Sequence, residues 1–372
     1  MFSRKPKKPQ PKKILFMTAA GAHNLGDELI LKGEIEYIQE HYGKNIDITV
    51  FTYDITGSII NDDKIKYVSY FPNNFGGEPL KNVGYFFKNI LLIAKADVLI
   101  IGGGGILFDN EPGVEFWSLF MEWSFRVKIA RMFHTIILFW GIGLEIKEVK
   151  NKMKLRKLFK PGDFILVRDA QSKGLLDALE LPSVQVQDIV FLHTPPANIE
   201  ENTDDKLVGI SVRGGFLGEN ESAIPLMYDR LIELGYNPIF LVFSTEGEES
   251  QNDTIFIRKV MIGKTYNVTK SISQTLDIFP RLHSVIGMRL HAGILACTHD
   301  IPFLPISYGP KTNDLMELLE VQHLGIQARE FSMDMFDANW NALTTNYEQE
   351  KLHMKIRHNH IAETLKTNLK NI

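Results

Sequence analysis

Two parallel-sheet α/β domains are the fold this sequence predicts, and three observations predict it. Short continuous apolar runs, such as residues 14–18 (ILFMT) and 97–101 (DVLII), alternate with helical stretches along the chain. Continuous apolar strands mark a parallel sheet covered on both faces, and strand–helix alternation is the doubly wound pattern. The alternation breaks once, in the proline- and acid-rich HTPPANIEENTDDK of residues 193–206, which reads as a linker. At 372 residues the chain is also too long for one typical domain. The expected organisation is a basic tail over 1–13, an N-terminal domain over 14–193, a linker over 194–206 and a C-terminal domain over 207–345. A closing helix over 346–372 has the option of packing back on the first domain.

Composition excludes several classes. A net charge of −4 and a pI of about 6.3 disfavour a global nucleic-acid binder. One cysteine, Cys297, allows no internal disulfide, and its apolar helical surroundings make it a small core residue. The N-terminus imitates a signal peptide, with six basic residues before ILFMTAAGA. Its apolar core spans only residues 14–17, short of the usual run of about 7–15, so a basic tail before a buried first strand is expected. The tail either touches anionic lipid or is simply solvated. No apolar run is long enough to span a membrane. The expected location is cytoplasmic, with the inner face of the membrane left open.

In the first half, the strand at 14–18 leads through AAGAHNLGDE into a helix over 27–42, with Asn24, Gly26 and Asp27 as turn and cap residues. A loop between a strand end and a helix start is a common anion or sugar site. A strand at 46–52 and a helix at 80–94 follow. The strand at 97–101 is expected to end in Gly102, Gly103, Gly104 and Gly105, where something approaches the backbone closely. Leu107 stands where the dinucleotide fingerprint needs glycine, so no NAD site is expected. The aromatic helix at 114–133 is apolar nearly all round and reads as buried, a partner- or membrane-facing surface being the alternative. Strands at 135–140 and 164–167 end in Gly141, Gly143 and Glu145, and in Arg168 and Asp169.

The second half repeats the pattern. A strand at 207–212 ends in Arg213, and one at 237–243 ends in Ser244, each followed by a helix. The stretch GMRLHAGILACTHDIPFLPISYGPK, residues 287–311, then places Arg289 and His291 at one strand end and Ser307, Tyr308 and Lys311 at the next. Ligands of open α/β sheets bind outside the carboxyl ends of the strands. An arginine fork, a lysine and an imidazole there read as an anion site containing a proton-transfer group. The competing reading pairs Arg289 with a neighbouring carboxylate and buries His291 in the core. His353, His358 and His360 in the closing helix read as a solvated face. No metal motif and no G-x-S-x-G elbow occurs.

The motifs GAHNLGDELIL, IIGGGGILF, GIGLE, LVRD, GISVRG, GMRLHAGILA and ISYGPK, in this order over residues 13–324, resemble the polysaccharide pyruvyl transferase family. Gly293 departs from the pattern, where such sequences often carry leucine. The resemblance implies two Rossmann-like domains facing a cleft, as in GT-B glycosyltransferases. It implies transfer of pyruvate from phosphoenolpyruvate to a hydroxyl or hydroxyl pair of a cell-surface polysaccharide or its lipid-linked precursor, releasing phosphate. His291, Arg289 and Arg168 are then the expected catalytic residues. Lys311, Arg213, Ser307, Tyr308, Asn24, Gly103, Gly104 and Glu145 are the expected substrate-binding residues. No cofactor, metal or nucleic acid is expected; peripheral membrane contact and oligomerisation stay open. The alternatives are a GT-B glycosyltransferase using a nucleotide sugar and a non-catalytic glycan-binding family member.

Overall fold

The computed structural model describes residues 11–370 apart from 55, 57, 61, 71–78, 110–115 and 195–205. The basic tail and the linker expected from the sequence lie almost wholly outside the described residues. The chain divides into two compact units. The first holds the described residues up to Ala22 and Asp27–Asp188; the second holds His23–Gly26 and those from Ile189 on.

The first unit is a seven-stranded parallel sheet. In chain order its elements are β1 (Lys13–Met17), α1 (Leu25–Tyr42), β2 (Asp47–Thr52), β3 (Lys66–Ser69), α2 (Pro79–Lys95), β4 (Val98–Phe108) and α3 (Phe116–Met132). Then come β5 (Ile136–Glu145), α4 (Val149–Leu158), β6 (Phe164–Val167), α5 (Ala170–Ala178) and β7 (Val184–Gln185). The strand order is β3-β2-β1-β4-β5-β6-β7. Side chains alternate across the pleat. Leu15, Met17, Leu99, Ile101, Ile137 and Phe139 face the core shared with α3, α4 and α5. The opposite parity meets α1, where the ring of Tyr37 lies edge-on to Trp140.

The glycine run does not end a strand. β4 continues through all four glycines to Phe108, because the ladder with β5 carries on as Gly102↔Trp140, Gly104↔Ile142 and Gly105↔Gly143. Gly103 (φ 60°), Gly104 (101°) and Gly141 (59°) take a positive φ that favours glycine, and the register with β5 holds through them, shifting only between Gly105 and Leu107. What approaches the glycines is α1. A Cβ at Gly102 would stand 2.5 Å from a Glu34 oxygen, at Gly103 2.5 Å from Ile30, and at Gly104 3.2 Å from Asp27. Asp27, Ile30 and Glu34 are one helix face at three- and four-residue spacing.

Glu34 is wholly buried, and neither carboxyl oxygen has a hydrogen-bond partner among the described residues. Burial, with the negative charge of Asp188 adding to it, pushes this carboxyl well above the usual carboxylate range.

Helix α3 corrects the expectation of burial. Phe116, Phe120 and Trp123 are in the core, but Trp117, Met121, Phe125 and Met132 are exposed.

The second unit is a six-stranded parallel sheet of order β10-β9-β8-β11-β12-β13. It comprises β8 (Leu207–Ser211), α6 (Ala223–Glu233), β9 (Asn237–Phe240), α7 (Asp253–Val260), β10 (Asn267–Val268), α8 (Ile272–Ile278) and β11 (Ser284–Gly287). There follow α9 (Leu290–Thr298), β12 (Phe303–Ser307), α10 (Pro310–Leu319), β13 (Ile326–Gln327), α11 (Met333–Thr345) and α12 (Tyr347–Leu369). Val208, Ile210, Phe240, Ile286, Leu304 and Ile306 build its core with Met227, Phe256 and Trp340 from the helices.

Two segments from earlier in the chain complete this unit. His23–Gly26 docks on it: Leu25 N–H donates to Phe243 O at 2.8 Å, Thr245 N–H donates to His23 O at 3.2 Å, and Asn24 bridges Ser244. The 3₁₀ turn Ile189–Leu192 packs against α9 and α12. His358 Nε2 donates to Phe191 O at 3.0 Å, and His353 Nε2 to Leu319 O at 2.8 Å. These two histidines are therefore half-buried anchors of α12, not the solvated face expected; His360 is exposed.

Cys297 is buried in α9, and its burial pushes the thiol up to about 12.

Candidate functional site

The candidate site of the second unit is built on the carboxyl rim of β8, β11 and β12, which are adjacent parallel strands. Arg213 follows β8, Arg289 and His291 follow β11, and Ser307, Tyr308 and Lys311 lie at the end of β12 and the start of α10. The N-termini of α9 and α10 therefore open on the same edge, where unsatisfied amides and the helix dipole favour an anion.

Arg289 is the N-cap residue of α9. Its Nε donates to Asp253 Oδ1 at 3.1 Å, its Nη2 donates to the same oxygen, and Nη2 also donates to Gln251 O at 2.7 Å. Asp253 is 1% exposed and accepts two further bonds, from Phe243 N–H (2.9 Å) and Ser244 N–H (3.1 Å). Burial pushes the Asp253 carboxyl up, while Arg289 and the two amides pull it back; the net direction is upward. The guanidinium is thus held in a fixed plane by a buried carboxylate.

His291 sits in the first turn of α9, half-buried, with Nε2 shut off from solvent. Its ring lies directly over Gly26. Asn24 Oδ1 accepts from Gly26 N–H at 2.9 Å, which fixes that turn.

Arg213 is aimed by its neighbours. Nε donates to Ser250 O at 3.2 Å, Nη1 donates to Tyr308 Oη at 2.9 Å, and the guanidinium lies over the Phe216 ring at 4.8 Å. Ser307 is buried; its hydroxyl donates to Asn313 Oδ1 at 2.6 Å and lies 2.7 Å from Thr312 Oγ1. Thr312 Oγ1 in turn accepts from Tyr308 N–H (3.1 Å) and Gly309 N–H (3.2 Å). These bonds set the β12–α10 turn from which Tyr308 and Lys311 project.

In the first unit, Glu145 ends β5 and Arg168 follows β6. The Arg168 side chain, 12% exposed, lies 3.7 Å from Asp169 and across Gly143, where a Cβ would stand 2.9 Å from Nε. Gly143 thus makes room for the guanidinium. Asp169 accepts from Ser172 N–H at 2.7 Å as the N-cap of α5. Gly103 and Gly104 stand beneath α1, as described.

The model of polysaccharide pyruvyl transferases matches residues 24–310. The chain belongs to the polysaccharide pyruvyl transferase family. No curated protein matches it. Among solved structures it is similar to the UDP-GlcNAc 2-epimerase of Neisseria meningitidis bound to UDP-GlcNAc: TM-score 0.57, 9% identity, 97% of this chain and 100% of that one. It is also similar to Anabaena HepE in complex with UDP and glucose: TM-score 0.56, 12% identity, covering 97% and 100%. At such identities the likeness shows the fold, which is GT-B. Within the polysaccharide pyruvyl transferase pattern, Gly293 has a local reason. A Cβ there would stand 2.7 Å from Phe303 and 2.8 Å from Leu315, which fill the space.

Asp253 and Thr312 are the supporting residues that sequence reasoning missed. The Asn252–Asp253 pair at a helix start was a usable signal: Asn252 caps α7, accepting from Thr254 N–H at 3.0 Å and Ile255 N–H at 3.2 Å. That leaves Asp253 to turn inward.

Proposed function

We propose that this family member transfers pyruvate from phosphoenolpyruvate to a hydroxyl, or a hydroxyl pair, of a cell-surface polysaccharide or its lipid-linked precursor. The observation that carries the reading is the rim of β8, β11 and β12, where an imidazole stands in the first turn of a helix beside an immobilised arginine. Phosphoenolpyruvate brings a phosphate and a carboxylate, and planar guanidinium forks suit both. In the second unit Arg213 and Lys311 supply the positive charge, with Tyr308 and Asn24 flanking; Arg289, whose Nε and Nη2 are held by Asp253 and Gln251 O, offers its Nη1.

The chemistry then follows. The methylene carbon of the donor takes a proton, and its neighbour, C2, becomes oxocarbenium-like. The acceptor hydroxyl adds to C2 and loses its proton, and the bond from C2 to the phosphate oxygen breaks. With a single hydroxyl, the new methyl group gives a proton back and an enolpyruvyl ether results; with a hydroxyl pair, the second oxygen loses its proton, replaces phosphate at C2 and closes a ketal. His291 is the acid/base, and the cations stabilise the departing phosphate.

The test is phosphate release from phosphoenolpyruvate against a panel of lipid-linked and soluble hexose and hexosamine acceptors. Acceptor-dependent release is expected. Turnover of a nucleotide sugar with no response to phosphoenolpyruvate would overturn the reading in favour of a glycosyltransferase.

A further inference from the structure

Helices α2, α3 and α4 cover one face of the first unit, and their outer surface is not that of an ordinary solvated layer. On α2, Val83, Phe87 and Leu91 recur at four-residue spacing; on α3, Trp117, Met121 and Phe125 do the same. All six are between 39% and 58% exposed. Four-residue spacing keeps each set on one helix face. The stripes adjoin: Phe86 of α2 stacks on Phe125 of α3 at 5.7 Å. At the far side the Lys154 ammonium of α4 lies 4.8 Å over the ring of Trp117.

The charge on the same helices is one-sided. Together they carry eleven basic residues and one acid, Glu122, in a chain whose net charge is −4. That acid is 3.3 Å from Arg126. Lys88 stands beside Phe87, Lys128 continues the α3 stripe, and Lys157 is exposed on α4 next to the exposed Met153.

Apolar stripes of this extent mark interaction surfaces. Two partners would bury them. A protein interface is depleted of lysine at its core, whereas here lysines are interleaved with the rings. A lipid headgroup layer accepts both: rings and aliphatic chains enter the acyl boundary, and ammonium groups meet phosphate. We propose that the α2–α4 face is a peripheral membrane-binding surface for anionic lipid. It stands independently of the donor and of the reaction.

The test is co-sedimentation of the full chain with phosphatidylcholine vesicles, with and without phosphatidylglycerol, at low and high salt. Binding is expected only with phosphatidylglycerol, and should weaken as salt shortens the reach of the charges. A Phe87→Ser/Trp117→Ser/Phe125→Ser variant should lose binding while its melting curve shows it still folded at the assay temperature. A Lys88→Glu/Lys128→Glu/Lys157→Glu variant should bind at least ~100-fold more weakly, at about fivefold per lysine. Wild-type levels of binding in both variants would overturn the proposal. So would failure of the wild-type chain to bind, or a dimer in solution that the aromatic variant abolishes without any vesicle binding.

Discussion

The imidazole of His291 rests on the backbone of Gly26, so closely that a Cβ at position 26 would stand 2.1 Å from Nδ1 and 2.4 Å from Cε1. The Asn24–Gly26 turn and the MRLHA motif, far apart in sequence, are therefore one piece of the second unit's site. The glycine is needed for the ring.

Gly26→Ala is expected to push the ring off its position. Overpacking of this kind costs about 1–3 kcal/mol, and a displacement of about 1 Å at a reacting group costs on the order of 10²-fold in rate. Turnover with phosphoenolpyruvate and a melting curve check both. Unchanged turnover would show that the ring position is not critical.

Much of this was legible from the residues. The apolar runs marked the strands, and the cations at strand ends marked the rim. What was not legible depends on distance. Arg289 and Asp253 are 36 positions apart, and only folding shows that the fork is already held by a carboxylate. The glycines at 102–105 read as a strand end because periodicity reports polarity, not ladder continuity; β5 prolongs the strand. The aromatic helix α3 read as buried because composition does not say which rings meet the sheet. Trp123 does, with its Nε1 donating to Ile106 O at 3.1 Å; Trp117 does not.

The Asp253–Arg289 pair should dominate local stability. Asp253→Ala strands a guanidinium that is 12% exposed and removes the acceptor of two amides. Breaking a buried pair in this way costs about 3–5 kcal/mol. Urea denaturation measures it; a loss below about 1 kcal/mol, the range of exposed pairs, would mean that the pair is solvated.

Glu34 should make stability pH-dependent. Its folded pKa is raised, so the folded chain holds a proton that the unfolded chain releases. Its contribution is full below the ordinary carboxylate range and is lost as pH rises through the folded pKa, at up to about 1.4 kcal/mol per pH unit. Glu34→Gln keeps the shape without the charge. Chemical denaturation from acid to alkaline pH should show the wild-type chain losing stability relative to the variant as pH rises. Parallel curves would place Glu34 in contact with water.

The account rests on His291 as the acid/base of a phosphoenolpyruvate-dependent transfer. The direct measurement is the phosphate-release rate of His291→Ala at donor concentrations saturating by calorimetry. With Arg213, Arg289 and Lys311 intact, donor affinity should change little while turnover falls by roughly 10²–10⁴-fold. Turnover near that of the wild-type chain, at equal donor occupancy, would contradict it.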